Sequence, residues 1–468
     1  MKSEELFRKL LGLEEPWIIK EIKFDHQGKR VDIFLDFPRG SKFPCPVCGI
    51  CYGVHDTEER TWRHLNIFQY PTYVHAREPR IKCKEHGKKT VNLPWARKGS
   101  GYSLHFEAMV VEMCIEMTIS AVSRIVGINE DSVWRILKHY VDEARKDQDF
   151  SHINILGIDE FSVEKHHVYV TLFYDIRNSR VIHIEEGKES DVFGKFIKKY
   201  PFLDTSKIDH ITMDMYPSYI SGAKSYFPQS KIVFDHFHVI KMMNDTLDRI
   251  RRKEARENDI LKHTRYDWLK NYPDLSERER DHLRSVKSLD LQTSHAYHFK
   301  IALQRLWNLN FSIVESYLRK WISWAYRSKM HDIIKLGKTM KRHMDGIIEA
   351  IKSGINSAVV EGLNNKIRTA FKRSYGFKSK EYRDTITYLV AGGLRLPQNV
   401  KEIRIFIFRC VWIFFFDYGN GSYPIDRSTF AFLYWSDGLG FQYTTNDIFA
   451  ERNPRKNIRQ GNFVNGYS

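Results

Sequence analysis

The sequence predicts a multidomain α/β protein, and three observations lead to that fold class. Two pairs of possible metal ligands lie within residues 45–86, and a short helix, a glycine and a capped helix follow one another in residues 118–143. Three β-rich runs and then alternating helix and strand begin at residue 153. A chain of 468 residues is long enough for several domains, which commonly have roughly 100–200 residues each.

The chain is strongly basic, with 74 Lys and Arg residues against 58 Asp and Glu residues and a net charge of +16. Such an excess favours a polyanionic partner, most often nucleic acid, although an evenly spread basic surface would have the same composition. The hydrophobic fraction of 42% makes wholesale disorder a poor fit. The start of the chain shows no signal peptide, and the most apolar run, residues 405–416, is shorter than the roughly 20 residues of a membrane span. We therefore expect a cytoplasmic protein without a membrane partner.

The first element is a metal-binding N-terminal domain. Cys45 and Cys48 form one pair two residues apart, and Cys83 and His86 form another. Paired Cys and His ligands on two tight turns suit a closed, tetrahedral, structural Zn²⁺ site, and the residues between the pairs predict a ribbon or hairpin. Unrelated buried cysteines would be the alternative. Two further side chains are spare ligand candidates: Cys51 and His55.

The second element is a helix-turn-helix. Apolar residues mark a short helix that Gly127 ends, and Asn129 can cap the next helix, which carries acids in its first turn and apolar residues at helical spacing. This layout is common in DNA-binding domains, although such pairs also occur as plain packing units.

The third element is an α/β core. Three strands followed by alternating helix and strand is the order of an RNase H-like fold, with Asp159 expected at the end of the first strand and Asp214 directly after the fourth. The expected strands are 153–158, 167–174, 181–184, 208–213 and 231–234, and the expected helices are 191–200 and 219–227.

The remaining elements are helical. Residues 239–344 read as helices throughout, and their tryptophans are expected to lie mostly in a core. Ser357 can cap a later helix on which Glu361, Asn365 and Arg368 share one face. The tryptophans expected in the core of residues 239–344 are Trp268, Trp307, Trp321 and Trp324.

Acidic residues at strand ends suit phosphodiester chemistry, because Mg²⁺ prefers carboxylate ligands and two ions can activate the nucleophile and neutralise the leaving oxygen. Any single aspartate is more often a solvated turn residue, and spacing alone leaves several choices open. The local alternatives to Asp159 and Asp214 are Asp175, Asp209, Glu160 and Glu164.

Six ordered motifs carry a family resemblance that covers about residues 40–395. They are CPVCG…CKEHG, the helix-turn-helix, IDEFS at 158–162, TMDMYPSY at 212–219, FDHFHV at 234–239 and VVEGLNNKIRTAFKRSYGF at 359–377. With these motifs the sequence resembles the ISL3 family of bacterial insertion-sequence transposases. The resemblance implies an RNase H-like catalytic core interrupted by an all-helical insertion, and a triad of Asp159, Asp214 and Glu361 that binds two Mg²⁺ or Mn²⁺ ions.

The resemblance also implies further site residues. An Asp-x-x-His signature falls on Asp235 and His238, and His238 could contact DNA or brace the core. The residues expected to contact DNA are Arg124, Ser132, Arg135, Lys138, Lys366, Arg368 and Arg373.

The implied function is cut-and-paste DNA transposition, in which the protein binds the terminal inverted repeats, cleaves them and joins them to target DNA. A homodimer is expected because two ends must be joined, and the setting would be the bacterial nucleoid. A silent DNA-binding regulator and a nuclease without strand transfer remain alternatives, and a zinc hydrolase is a weaker one.

The expected domain boundaries follow from these elements. They are 1–98 for the zinc-binding domain, 99–148 for the helix-turn-helix, 149–250 and 351–396 for the two parts of the core, 251–350 for the insertion and 397–468 for an aromatic tail of unknown role. The tail departs from the family pattern, which leaves the activity of this copy open.

Overall fold

The computed structural model describes residues 7–9, 11–164, 168–287, 289–355 and 357–396. The aromatic tail, 397–468, lies outside the described residues. Within the described ranges, no helix is both long and apolar enough to cross a membrane.

The N-terminal domain is built on a six-stranded sheet in which the long β4 and β5 form an antiparallel hairpin. The first ligand pair lies just before β4, and the second begins at Cys83, the last residue of β5, so the predicted hairpin between the pairs brings them to the same end of the sheet. Strands β1 and β2, which no sequence motif indicated, extend the sheet in the order β1-β2-β5-β4-β3, with β6 paired to β5. The strands are β1 (Ile18–Asp25), β2 (Arg30–Asp36), β3 (Lys42–Pro44), β4 (Cys51–Ile67), β5 (Tyr70–Cys83) and β6 (Gly87–Thr90).

The helix-turn-helix has the predicted turn and cap. Gly127 adopts φ 70°, a left-handed conformation that glycine tolerates best, and the side chain of Asn129 accepts a hydrogen bond of 2.7 Å from the Ser132 backbone N–H. A further helix precedes the pair and packs on both. The helices are α1 (Leu104–Glu116), α2 (Ile119–Val126) and α3 (Glu130–Lys146).

The α/β core has an RNase H-like sheet in the order β11-β10-β7-β8-β9, in which β7, β8 and β9 are antiparallel and β10 and β11 run parallel to β7. The predicted end of the first strand at Asp159 is wrong. Pairing with β8 continues past Asp159 to Glu164, so Asp159 lies in the middle of its strand. The elements are β7 (Ile155–Glu164), β8 (Val168–Asp175), β9 (Arg180–Glu186), α4 (Asp191–Lys199), β10 (His210–Met213), α5 (Pro217–Tyr226) and β11 (Lys231–Phe234).

Helices then occupy most of the chain to residue 391, which agrees with the predicted helical insertion. Trp268 and Trp321 are buried, whereas Trp324 is 38% exposed and stacks on Phe299, so the prediction of core tryptophans holds for part of the set. The helices are α6 (His236–Glu254), α7 (Arg265–Leu269), α8 (Glu277–Lys287), α9 (Gln292–Arg305), α10 (Phe311–Arg327), α11 (His331–Arg342), α12 (Met344–Ser353), α13 (Ala358–Ser374) and α14 (Lys380–Ala391).

The helix-turn-helix shares one hydrophobic core with the outer face of the catalytic sheet and with α13 and α14. Trp134 of α3 stacks on Tyr382 of α14, with ring centroids 3.5 Å apart and planes 8° apart. Beside this stack, Lys138 lies 3.0 Å from Glu381. The helix-turn-helix is therefore docked on the catalytic core and is not a tethered module.

We expect the Trp134–Tyr382 stack to couple the two parts energetically. In a double-mutant cycle, Trp134→Leu and Tyr382→Leu should show an interaction free energy of about 0.5–1.5 kcal/mol, because stacked rings gain that much beyond area burial. Denaturant unfolding measures the four free energies. The control cycle pairs Trp134→Leu with Trp321→Leu, which belongs to a different core, and additive effects are expected there. Additivity in the first cycle would contradict the coupling.

Candidate functional site

The four predicted zinc ligands form one cluster. The side-chain ligand atoms of Cys45, Cys48, Cys83 and His86 all lie within 4.8 Å of one another. Cys48 Sγ is 3.7 Å from Cys83 Sγ, and His86 Nδ1 is 3.5 Å from Cys83 Sγ. With Zn–S bonds of about 2.3 Å, tetrahedral geometry separates two sulfurs by roughly 3.8 Å. The donor set and spacing therefore fit a structural Zn²⁺ ion.

The electrostatics of Cys83 suit a metal thiolate. Burial acts to raise the pKa of its thiol, but hydrogen bonds from the backbone and side chain of His86 outweigh it and lower the pKa to about 6. A thiolate is the form that binds metal. The spare candidates Cys51 and His55 are exposed and lie outside the cluster, so both stay unassigned.

The first two carboxylates of the expected triad lie level with each other, Asp159 on β7 and Asp214 directly after the neighbouring parallel strand β10. Thr212 of β10 pairs with Gly157 of β7, and Asp214 and Asp159 each follow two residues later. Burial and then the negative charge of Asp214 raise the pKa of Asp159 to about 6. Two neighbouring carboxylates are hard oxygen donors, and a divalent cation between them would stabilise the charged form of Asp159.

Asp159 is fixed from two sides. Its Oδ1 accepts a hydrogen bond of 2.8 Å from the Glu160 backbone N–H, and its Oδ2 accepts one of 2.6 Å from Asn364 Nδ2. Asn364 is in turn held by the buried Tyr174, whose hydroxyl donates to Asn364 Oδ1 at 2.6 Å. The middle of β7 is thus joined to α13 through Asn364, which lies within the motif at 359–377 but was not among the predicted site residues.

Asp214 has a different partner. His238 Nδ1 lies 2.7 Å from Asp214 Oδ1 and 2.8 Å from Asp235 Oδ2, and these two hydrogen bonds raise the pKa of His238 to about 10. The ligand atoms of Asp214, Asp235 and His238 lie within 4.8 Å of one another. The Asp-x-x-His pair therefore lies directly against the second carboxylate of the expected triad.

Asp235 also connects two helix starts. Its Oδ1 accepts a hydrogen bond of 2.9 Å from the Phe237 backbone N–H at the start of α6. The same oxygen accepts a hydrogen bond from the Ser357 hydroxyl, directly before α13. The predicted cap by Ser357 is wrong in this respect, because its hydroxyl bonds to Asp235 and makes no cap bond to α13.

Glu361 lies in the first turn of α13, one turn before Asn364, and its side chain is exposed. Within the described part of the chain, the carboxylates of Asp159, Asp214 and Glu361 do not all lie within 4.8 Å of one another. The helix that carries Glu361 does reach the site, since Asn364 contacts Asp159.

The acidic residues that the sequence offered as alternatives to Asp159 and Asp214 have other surroundings in the structure. Asp175 is buried and holds Arg180 and Asn178 at a turn. Asp209 is exposed before β10, and Glu160 lies 3.7 Å from Lys188. The side chain of Glu164 is outside the described residues.

The residues expected to contact DNA fall into two groups. Arg124, Arg135, Lys366 and Arg368 are exposed. Ser132 is buried, Lys138 pairs with Asp142 and Glu381, and Arg373 binds the backbone and carboxylate of Glu116. The first group therefore presents the more accessible surface.

Three family models match consecutive parts of the chain. A zinc-finger of the transposases IS204, IS1001, IS1096 and IS1165 matches residues 41–86, and the helix-turn-helix domain of transposase family ISL3 matches residues 91–141. The ISL3 transposase domain matches residues 156–386, which include all three carboxylates.

The chain belongs to the ISL3 family of transposases. It is similar to the transposase for insertion sequence element IS1557 of Mycobacterium tuberculosis, with 26% identity over 431 residues, 84% of this chain and 97% of that protein. It is also similar to the transposase for IS1001 of Bordetella parapertussis, with 26% identity over 369 residues, 76% of this chain and 90% of that protein. Cleavage and strand transfer of DNA is the general activity of transposases, and the order of zinc finger, helix-turn-helix and catalytic domain agrees with the predicted fold.

In this ISL3 transposase the zinc cluster should depend on Cys83 and not on Cys51. Purified Cys83→Ser protein should contain markedly less zinc than the wild type, because one of four ligands is lost. Elemental analysis of the purified chains measures this. The matched control, Cys51→Ser, should retain wild-type zinc, since Cys51 is exposed outside the cluster. Loss of zinc in the control, or full zinc in Cys83→Ser, would contradict the assignment.

Proposed function

We propose that this transposase cuts transposon ends and joins them to target DNA with divalent ions held by Asp159, Asp214 and Glu361. The observation that carries the proposal is that Asp159 on β7 and Asp214, directly after β10, lie level with each other beside the start of the helix that bears Glu361. Rigid parallel strands fix the two aspartates, and the chain supplies the third carboxylate from a helix bonded to one of them.

The ions are Mg²⁺ or Mn²⁺, since the donors are all carboxylate oxygens. When bound, two such ions supply activation of the attacking oxygen and charge neutralisation at the leaving oxygen. The chain's own part is to keep Asp159 oriented through Asn364 and Glu160, and to keep Asp214 oriented through His238. The attacking groups would be water and then the 3′-hydroxyl of the cut end, so no covalent intermediate with the protein is required.

The contacts of His238 support a bracing role. Its ring nitrogen bonds two carboxylates, and one of them, Asp235, also bonds the start of α6 and Ser357 before α13. A residue with these partners would hold Asp214 and the two helix starts in register. Contact between His238 and DNA is the alternative that the sequence left open.

The three carboxylates do not all come within 4.8 Å of one another in the described structure, so the proposal includes a rearrangement of Glu361 when ions and DNA bind. Its position in the first turn of α13 and its exposed side chain leave room for a rotamer change. Exposed side chains change rotamer far faster than domains move.

We expect Asp159→Asn, Asp214→Asn and Glu361→Gln each to lower DNA cleavage by roughly 100- to 1,000-fold or more, because each ion contributes several kcal/mol of transition-state stabilisation. Binding of terminal-repeat DNA should be nearly unchanged. Gel assays of cleavage and of binding on the same duplex measure both. The control Asp209→Asn, an exposed acid before β10, should cleave as the wild type does. Equal loss of binding in all three variants would count against the assignment.

We expect Asn364→Ala to lower cleavage by about 10–100-fold, the usual effect of removing a partner that orients a metal ligand. Its signature should be a higher Mn²⁺ or Mg²⁺ concentration for half-maximal cleavage, with part of the activity restored at saturating metal. A metal titration of cleavage measures this. An unchanged titration curve would show that Asn364 supports the fold and not the ligand.

The alternative functions are separated by what happens to the cut end. A nuclease would release a 3′-hydroxyl without joining it, and a silent regulator would bind the repeats without cutting them. An assay with a pre-cut, labelled end and a target plasmid distinguishes joining from both. Dimerisation is part of the proposal for a mechanistic reason, since two ends must meet in one complex.

A further inference from the structure

A stripe of exposed side chains runs along α13, away from Glu361. Four of its members lie on α13 at intervals of four, three and four residues, the spacing that puts side chains on one helix face, and the fifth follows three residues later, directly after the helix ends. They are Glu361, Asn365, Arg368, Lys372 and Tyr375, and all five are exposed. The buried side chains of the helix are on its other faces: Val360, Leu363, Asn364, Ile367 and Ala370.

Tyr375 is the unusual member of this stripe. It is 98% exposed, and it ends α13 in the left-handed conformation with φ 52° and ψ 21°. Glycine is the usual residue at such a helix end, because a β-carbon disfavours this conformation. Nearby, the partly buried Phe371 and Phe377 pack their rings 4.7 Å apart, whereas Tyr375 has no part in this contact. Packing therefore gives no reason for a tyrosine at this position.

The charges on the stripe favour an anionic partner. Beyond Glu361, the side chains are an amide, a guanidinium, an ammonium group and a phenol. Arg368 is held at the surface by Asn365, 3.3 Å away, and by the ring of Phe161, 5.5 Å away. Lys366 adds a further exposed cation to the same helix.

The far end of the stripe is tied to the helix-turn-helix. Arg373 lies 3.6 Å from Glu116 at the end of α1, and Lys378 lies 3.3 Å from Glu130 at the start of α3. The stripe therefore extends from the proposed catalytic residue Glu361 to the edge of the DNA-binding part of the chain. A DNA end held by the helix-turn-helix would meet Tyr375 before it meets Glu361.

We propose that the stripe is the track of one DNA strand into the active site, with Arg368 and Lys372 on its phosphates and Tyr375 stacked on an unpaired base. The proposal rests on the proposed catalytic role of Glu361. Basic groups along a backbone and an aromatic ring under a base are the combination by which proteins hold single strands. From the helix rise of about 1.5 Å per residue, Tyr375 lies roughly 20 Å from Glu361. At about 3.4 Å per nucleotide, that length corresponds to about six nucleotides from the cleavage point.

Photocrosslinking tests the position of Tyr375. The probe is a duplex of the terminal repeat that flanks the coding sequence, substituted with 5-iodouracil at one position at a time and bound to the full-length chain without added magnesium. We expect crosslinks to Tyr375 from positions about six nucleotides from the cleavage point, identified by peptide mass spectrometry. If the DNA crosslinks to other residues, and no position of the 5-iodouracil gives a crosslink to Tyr375, the proposal is overturned.

Substitution tests the stacking. Tyr375→Leu should bind the duplex about 5- to 100-fold more weakly, whereas Tyr375→Phe, which keeps the ring, should bind as the wild type does. The control Tyr266→Leu, an exposed tyrosine of the helical insertion, should leave binding unchanged. Equal binding by Tyr375→Leu and the wild type would overturn the proposal.

The salt dependence of binding tests the phosphate contact. Lys372→Ala should lower the slope of log affinity against log salt concentration by about one. An unchanged slope would overturn the role of Lys372.

These binding readouts do not require cleavage, so they separate the two proposals. If Asp159→Asn and Glu361→Gln cut DNA normally while Tyr375 crosslinks as expected, the catalytic assignment fails and the strand contact stands. Suppose instead that those variants lose cleavage, that Tyr375→Leu binds the duplex as tightly as the wild type, and that the wild-type crosslinks form at residues other than Tyr375. The strand track then fails and the catalytic assignment stands.

Discussion

The hydrogen bond between Asn364 and Asp159 joins residues 205 positions apart and sets how α13 lies against the catalytic sheet. Asp159 sits in the middle of β7, opposite Leu172 of β8 and two residues beyond the last residue of β7 that pairs with β10. Asn364 is itself fixed by the buried hydroxyl of Tyr174. Through these contacts the sheet positions the helix that carries Glu361, although that helix is far from β7 in the sequence.

A second constraint acts at the same place. Asp159 and Asp214 are like charges on β7 and directly after β10, and burial together with the charge of Asp214 raises the pKa of Asp159 to about 6. The chain compensates on one side with His238, which bonds Asp214 and Asp235 together. Asp235 then reaches the start of α6 and the residue before α13. The long helical insertion thus begins and ends at the carboxylates, so its packing can influence the site without supplying a ligand.

The N-terminal parts are integrated into this arrangement in different ways. The zinc cluster closes one end of the β4–β5 hairpin and belongs to the core of the N-terminal sheet. The helix-turn-helix shares a core with the catalytic sheet and the two C-terminal helices. Because Trp134 and Lys138 of α3 face α14, only part of that helix is left for DNA. Contacts from α13 and its turn would then complement it, which is consistent with the exposed basic residues there.

Much of the fold could be predicted because the signals are local. Ligand pairs two residues apart, the glycine and asparagine at the helix-turn-helix, and the order of strands and helices all depend on short-range chemistry, and they gave the domain order correctly. The first strand was placed five residues short, since Asp159 and Glu160 look like a strand end although β8 pairs beyond them. Strands β1 and β2 carry no motif and were not predicted. Among the site residues, Asn364 and the Ser357–Asp235 bond could not be foreseen, because an amide on a helix has no signature of its own.

The sequence by itself determined the family and the order of the modules, and it predicted the four side chains that form the candidate metal cluster and the two aspartates that follow or lie in apolar strands. These follow from residue types at short spacing, where the chain has little choice of geometry. Only the tertiary structure decided that Asp159 on β7 lies level with Asp214 directly after β10, that Asn364 joins α13 to Asp159, and that α3 is partly covered. Those features depend on contacts between residues far apart in sequence, and sheet register and helix packing, not composition, decide which of them meet.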